Sequence, residues 1–245
     1  MKEPFEITSS IMRPFGPTIL KAELPDILID KLIKLTDEIL NQENYPSYGT
    51  RLIGQIKNEP AVNSQQLNSV GALAVFNTVT EGYVKEILPQ IISDKPGTLG
   101  GSSEPKVEVT LKGCWAVSQY ENEYNPVHSH GSCQISNIVY LKIPEFKPRN
   151  IPGKSNELDG NIEFVHGSST DLNSLIRPTV RIIPKVGDLY VFPNTLLHTV
   201  YPFVGKGERR SLSYNMLYKV YDSETGVQVL GDSVNAANIG KTWNG

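Results

Sequence analysis

Two periodicities divide this chain. Near its start, apolar residues at Leu28, Leu32, Leu35 and Ile39 recur at spacings of four, three and four, which places them on one helical face. Pro25 suits the first turn of such a helix, where its missing N–H has no partner to lose. A second helical pattern runs from about Leu67 to Ile92, with Ala72, Val75, Val79, Tyr83 and Ile87 on one side. Residues 94–105 form a Gly/Ser/Pro cluster, which predicts a loop. Beyond it the period falls to two. Val107, Val109, Leu111, Trp115 and Val117 alternate with polar residues and predict a half-buried strand carrying these five on one face. Residues 135–143, 161–165, 179–183, 188–192 and 209–220 read as further strands, separated by turn residues such as Asp159-Gly160 and Gly205-Lys206-Gly207. Several short strands with no helices between them favour a β-sandwich or a barrel-like jelly roll, with the N-terminal helices packed on a sheet face. The connections 144–160 and 166–178 are long for a compact domain. Such loops often serve as lids, and residues 144–160 are expected to move over a site.

Composition narrows the class. A chain of 245 residues with 39% hydrophobic and 20% charged residues is an ordinary globular protein. A formal net charge of −3, with no basic stripe, gives no nucleic-acid signal. No apolar run approaches the roughly 18 residues that span a bilayer, and Met1 to Glu6 lacks an apolar signal core, so a cytoplasmic protein is expected. Cys114 and Cys133 form no Cys-x-x-Cys and are expected to be free thiols.

Three of the four histidines sit in two places, His128-Ser129-His130 and the isolated His198. On an extended strand His128 and His130 point the same way, and with a third donor they make three ligands with positions left open for chemistry. The spacing alone fits two solvated histidines near a turn equally well. The fourth, His166, reads as a loop residue and not as a further ligand. Eleven positions after His198, the strand beginning at Arg209 alternates so that Arg209, Ser211, Ser213 and Asn215 share one polar face. The planar fork of Arg209 suits a carboxylate, and the Ser211 hydroxyl can add a bond from the same side. Arg210, on the opposite face, is expected to be solvated.

In this order, His128-x-His130, His198 and Arg209-x-Ser211 resemble the iron(II)/2-oxoglutarate-dependent dioxygenases. Tyr120 and Tyr124 ahead of the first His, and the run 135–141 containing Tyr140, are similar to the prolyl-hydroxylase branch. Asn125, Gly160-Asn-Ile-Glu-Phe164 and the run 186–193 resemble a bacterial and phage group of these oxygenases. The resemblance is strong over residues 105–220. It implies a double-stranded β-helix with supporting N-terminal helices, all within one oxygenase domain: 1–104 strand and helices, 105–220 core, 221–245 tail. It further implies Fe(II) held by His128, His130 and His198, with 2-oxoglutarate held by Arg209, Ser211, Tyr140 and Tyr120. The implied reaction consumes dioxygen, releases succinate and CO2, and hydroxylates a small-molecule or peptide substrate. His130 is a departure, because the family norm there is a carboxylate. A neutral ligand leaves the metal about one charge unit more positive, which favours an anionic cosubstrate. Two other readings remain open: a zinc hydratase or hydrolase built on the three histidines, and a non-catalytic module that binds metal and 2-oxo acid.

Overall fold

The computed structural model of the protein describes residues 16–92, 104–148, 157–167 and 178–231, together with residues 152 and 155. The first apolar stripe forms α1 (Asp26–Leu40), with Leu28, Leu32, Leu35 and Ile39 all buried and Pro25 at its N-cap. The second pattern is not one helix from Leu67. Asn63 opens α2 (Ser64–Ser69) with a capping box, exchanging side-chain and backbone bonds with Gln66. Gly71, at φ +79°, then breaks the chain before α3 (Ala72–Ile92), a left-handed conformation that glycine adopts without penalty.

The strands are β1 (Leu20–Glu23), β2 (Lys106–Gln119), β3 (Asn125–His128), β4 (Ile135–Lys142), β5 (Ile162–Val165), β6 (Thr179–Ile182), β7 (Asp188–Pro193), β8 (Leu197–Val200), β9 (Arg209–Tyr221) and β10 (Gln228–Leu230). They form two antiparallel sheets. One runs β1-β7-β4-β9, with β2 and β10 also paired to β9, and the other runs β3-β8-β5-β6. Between the sheets, Ile138, Tyr140, Tyr190 and Phe192 pack on Ile162, Phe164 and Val200. The outer face of the larger sheet carries Val139, Leu189, Val191, Leu212 and Met216, which are covered by α1 and α3. Phe76 of α3 stacks on Tyr214 at 4.1 Å between ring centroids. Two sheets closed over one apolar seam, with helices outside the larger, make the mainly β double-stranded β-helix (jelly roll) expected.

One strand departs from its sequence pattern. The β2–β9 register slips between Leu111 and Gly113, so an extra residue enters β2 and every later side chain changes sides. Val107, Val109 and Leu111 lie against the helices, whereas Trp115 and Val117 face the other way, in a cluster with Ile56. The five apolar residues therefore do not share a face. Gly113 belongs at the bulge because a Cβ there would come within 2.6 Å of the Tyr48 hydroxyl oxygen. Residues 55–61 run along this part of the chain, with Ala61 bridging Trp115, Asn58 bridging Ser118 and Gln55 bridging Tyr124. The run 190–200 also divides: β7 ends at Pro193 and β8 restarts at Leu197, which brings His198 onto the smaller sheet. Most of the loop at 94–105, parts of 144–160, most of 166–178 and the tail beyond 231 lie outside the described residues.

Candidate active site

Pairing of β3 with β8 sets His128 directly opposite His198. His130 lies just past the end of β3, where its N–H donates to the Asn194 carbonyl at 2.9 Å and continues the hydrogen bonding. Ring centroids are 4.2 Å apart for His128 and His198, 5.1 Å for His130 and His198, and 5.3 Å for His128 and His130. One ring nitrogen from each lies within 4.8 Å of the others.

The protonation of the three rings fits a metal. Every Nδ1 has an acceptor: the Pro126 carbonyl for His128 at 2.7 Å, Asn215 Oδ1 for His130 at 2.8 Å and the Leu196 carbonyl for His198 at 2.9 Å. A ring that donates through Nδ1 keeps its lone pair on Nε2, the arrangement in which metal-bound histidines are held. Burial opposes the charged form in all three. It lowers His128 despite the carbonyls of Pro126 and His198, pushes His130 down to about 4, and pushes His198 well down with help from its two imidazole neighbours. Three neutral imidazoles with converging lone pairs suit Fe(II), Zn(II) and other first-row ions, and among the described residues no carboxylate joins them. Phe192 lies edge-on to His198 at 5.0 Å, and Trp115, itself stacked on Tyr48, lies 5.9 Å from His130. These rings keep water from much of the cluster.

The second half of the site begins on β9. Arg209 is 1% exposed and has no carboxylate partner among the described residues. Its Nε donates to the Gly160 carbonyl at 2.9 Å and its Nη1 to Gln119 Oε1 at 3.1 Å, while the guanidinium lies 5.1 Å from the Tyr140 ring centre. Burial lowers its pKa, yet a guanidinium remains protonated. Burial also raises the Tyr140 hydroxyl to about 12, so it keeps its proton. Arg209 Nη2 and the Tyr140 hydroxyl are both buried without a hydrogen-bond partner among the described residues. The two lie close enough to interact with each other, and a buried cation and hydroxyl with no anionic partner among the described residues form a cradle that a carboxylate would fill. Ser211 lies opposite Tyr140 in the β4–β9 register, and Asn215, bonded to His130, lies opposite Ser136. One polar face of β9 thus runs from the cationic cradle to the histidine cluster.

Arg209, Ser211 and Tyr140 are therefore brought together, and so are His128, His130 and His198. Tyr120 is not brought to Arg209. It is 45% exposed and lines a cleft of about 240 Å³ with Asp37 and Arg210, on the helix side of the larger sheet. The register slip in β2 directs Gln119 inward instead, and its Nε2 also holds the Glu123 carbonyl at 2.6 Å. Arg210 is not solvated. It is 3% exposed and bonded to Glu208 at 2.6 Å, Asp37 at 2.6 Å and Thr36 at 2.9 Å, which ties α1 to β9. His166 is exposed and outside the cluster. The sequence pattern did not single out Gln119 or Gly160 as contacts of Arg209. Gly160, at φ +66°, has no room for a Cβ, which would lie 2.3 Å from the Phe146 ring. Its turn-forming Asp-Gly context was the available signal, although such pairs mark turns far more often than sites.

Residues 113–215 match the family described as "Putative 2OG-Fe(II) oxygenase", a span that contains all three histidines, Tyr140, Arg209, Ser211 and Asn215. No curated protein matches the chain. Among solved structures, a prolyl-4-hydroxylase from Pseudomonas putida is similar, with 15% identity, TM-score 0.46, and coverage of 80% of this chain and 91% of that one. A prolyl hydroxylase from Trichoplax adhaerens, solved with a hypoxia inducible factor peptide, is 12% identical at TM-score 0.47, covering 82% and 83%. HygX from Streptomyces hygroscopicus, solved with nickel and 2-oxoglutarate, is 9% identical at TM-score 0.47, covering 81% of each chain.

Proposed function

We propose that this chain, a 2OG-Fe(II) oxygenase through residues 113–215, holds Fe(II) by His128, His130 and His198 and uses 2-oxoglutarate to hydroxylate an organic substrate, releasing succinate and CO2. The observation that carries this reading is the cradle at Arg209 and Tyr140: a buried cation beside a buried hydroxyl, with no anionic partner among the described residues, on the strand face that leads to His130. A zinc hydratase or hydrolase would have no use for that cradle.

In this reading each group has one task. Arg209 binds the distal carboxylate of 2-oxoglutarate with its free Nη2, held in place from behind by Gly160 and Gln119. Tyr140 and Ser211 donate to the same carboxylate. The imidazoles orient the metal and, being neutral, leave its full double charge to attract a dianion. When bound, Fe(II) and 2-oxoglutarate together supply the oxidative decarboxylation that activates dioxygen toward a substrate C–H bond. Phe164, Phe192 and Trp115 line the chemistry with apolar surface and exclude water from it. The apolar cluster that runs without a break from α1 and α3 into β2, β4, β7 and β9 supports reading residues 1–245 as one oxygenase domain. The substrate would be a small molecule or a peptide.

The test is 2-oxoglutarate turnover by anaerobically reconstituted protein, followed as succinate by NMR after admission of air. Wild type should form succinate with Fe(II) and not with Zn(II), and His198→Ala should form none while losing bound metal. Turnover that survives in His198→Ala would place the chemistry elsewhere.

A further inference from the structure

Two of the three clustered histidines are fixed by the main chain just before them. His128 Nδ1 bonds the Pro126 carbonyl and His198 Nδ1 bonds the Leu196 carbonyl, each acceptor lying two residues back. The stretch of chain that carries the ring also holds it. His130 has left β3, and its Nδ1 meets a side chain of β9 instead, Asn215 Oδ1 at 2.8 Å.

A side-chain amide is a less certain partner than a carbonyl of the main chain, because it has two ends. With oxygen toward the ring, Nδ1 carries the proton and Nε2 keeps its lone pair. With nitrogen toward the ring, Nδ1 must accept, and the proton moves to Nε2, where it blocks a metal. The structure places oxygen toward the ring. The Ser136 hydroxyl, opposite Asn215 in the β4–β9 register, donates to the same Oδ1 at 3.3 Å. Asn194 holds the main chain of His130 from both directions, accepting its N–H at 2.9 Å and donating from Nδ2 to its carbonyl at 2.8 Å. Backbone and ring are thus fixed by different residues, Asn194 for one and Asn215 for the other.

We infer that Asn215 is a positioning residue that selects the metal-binding tautomer of His130. The inference rests on the reading of the three histidines as a metal site. A carboxylate ligand has no tautomer to choose, so a chain that replaces it with His130 needs such a partner. Asn215 supplies it without negative charge, which leaves the metal attractive to a dianionic cosubstrate.

Two measurements test this on the full chain: ring ¹⁵N chemical shifts of the apo-protein, which report the tautomer, and Co(II) titration followed by visible absorption. In wild type His130 should carry its proton on Nδ1. Asn215→Leu, close in size but without an acceptor, should populate the Nε2–H tautomer and weaken Co(II) binding by roughly 10–100-fold, the usual loss for such a partner. Asn215→Asp keeps an acceptor oxygen and should restore Co(II) binding to within a few fold of wild type, which a merely structural role would not require. A wild-type His130 protonated on Nε2 overturns the inference, and so does undiminished Co(II) binding in Asn215→Leu. If the Leu variant does not fold, Asn215→Ala and the wild-type shifts decide, since Asn215→Ala should populate the same Nε2–H tautomer. A wild type that takes up no Co(II) would instead sink the metal reading itself.

Discussion

The two faces of β9 solve opposite problems with adjacent arginines. On the helix side, Arg210 is buried against two carboxylates, Glu208 at 2.6 Å and Asp37 at 2.6 Å, with Lys142 also bridging to Asp37 at 2.8 Å. The network is charge-balanced and ties α1 to the sheet. One residue earlier, Arg209 is as deeply buried but faces the space between the sheets, where it has carbonyl acceptors and no counter-ion among the described residues. Burying an uncompensated charge costs several kcal/mol, so a site of this kind persists where a ligand supplies the missing charge. Arg210 serves the fold, and Arg209 waits for an anion.

The sharpest way to break that contrast is to measure stability. Arg210→Met should leave Glu208 and Asp37 without their buried cation and destabilise the protein by about 3 kcal/mol, at the low end of the usual range because the Asp37 side chain is 43% exposed. Arg209→Met removes a desolvated cation along with two hydrogen bonds, and these opposing effects should leave stability within about 1 kcal/mol of wild type. Denaturant unfolding of the ligand-free variants checks both. Equal losses would mean that the two arginines are structural alike.

Much of this was legible in the sequence, for a physical reason. Strand parity is local, so alternation along residues 209–215 assigned Arg209, Ser211 and Asn215 to one face without any knowledge of the fold. The pairing of His128 with His130 rested on the same rule. Where parity is interrupted, reading fails. The extra residue before Gly113 turned Trp115 and Gln119 inward, and the one signal of it, a glycine inside a strand pattern, marks a bulge without saying on which side the register slips. The same slip leaves Tyr120 outside the site. The bond from His130 to Asn215 and the ion pair of Arg210 with Asp37 join residues 85 and 173 positions apart, distances over which a single sequence carries no pairing signal.

A smaller effect sharpens the comparison of neutral and charged burial. His130, held near 4 against an ordinary 6.5, takes up its proton later than it would in the unfolded chain. The unfolded state therefore gains protons first, and stability present above pH 6.5 is lost as pH falls toward 4. Glu59 acts in the opposite sense. It is buried, and desolvation, reinforced by Glu123, raises it to about 7, so its contribution is lost as pH rises from about 4.5 to 7. Melting temperatures of the metal-free protein should fall from pH 6.5 to 4, and Glu59→Gln should make that fall steeper. An unchanged slope in Glu59→Gln would remove Glu59 from the balance.

The most direct test of the cationic cradle is calorimetric titration of 2-oxoglutarate into Fe(II)-loaded protein without oxygen. Charge-assisted hydrogen bonds contribute roughly 1.5–3 kcal/mol each, so Arg209→Met should weaken binding by at least about tenfold. Arg210→Met, measured where it is folded, should bind within a few fold of wild type. Equal affinity in wild type and Arg209→Met would contradict the account, because the dicarboxylate would then be held by some other part of the protein.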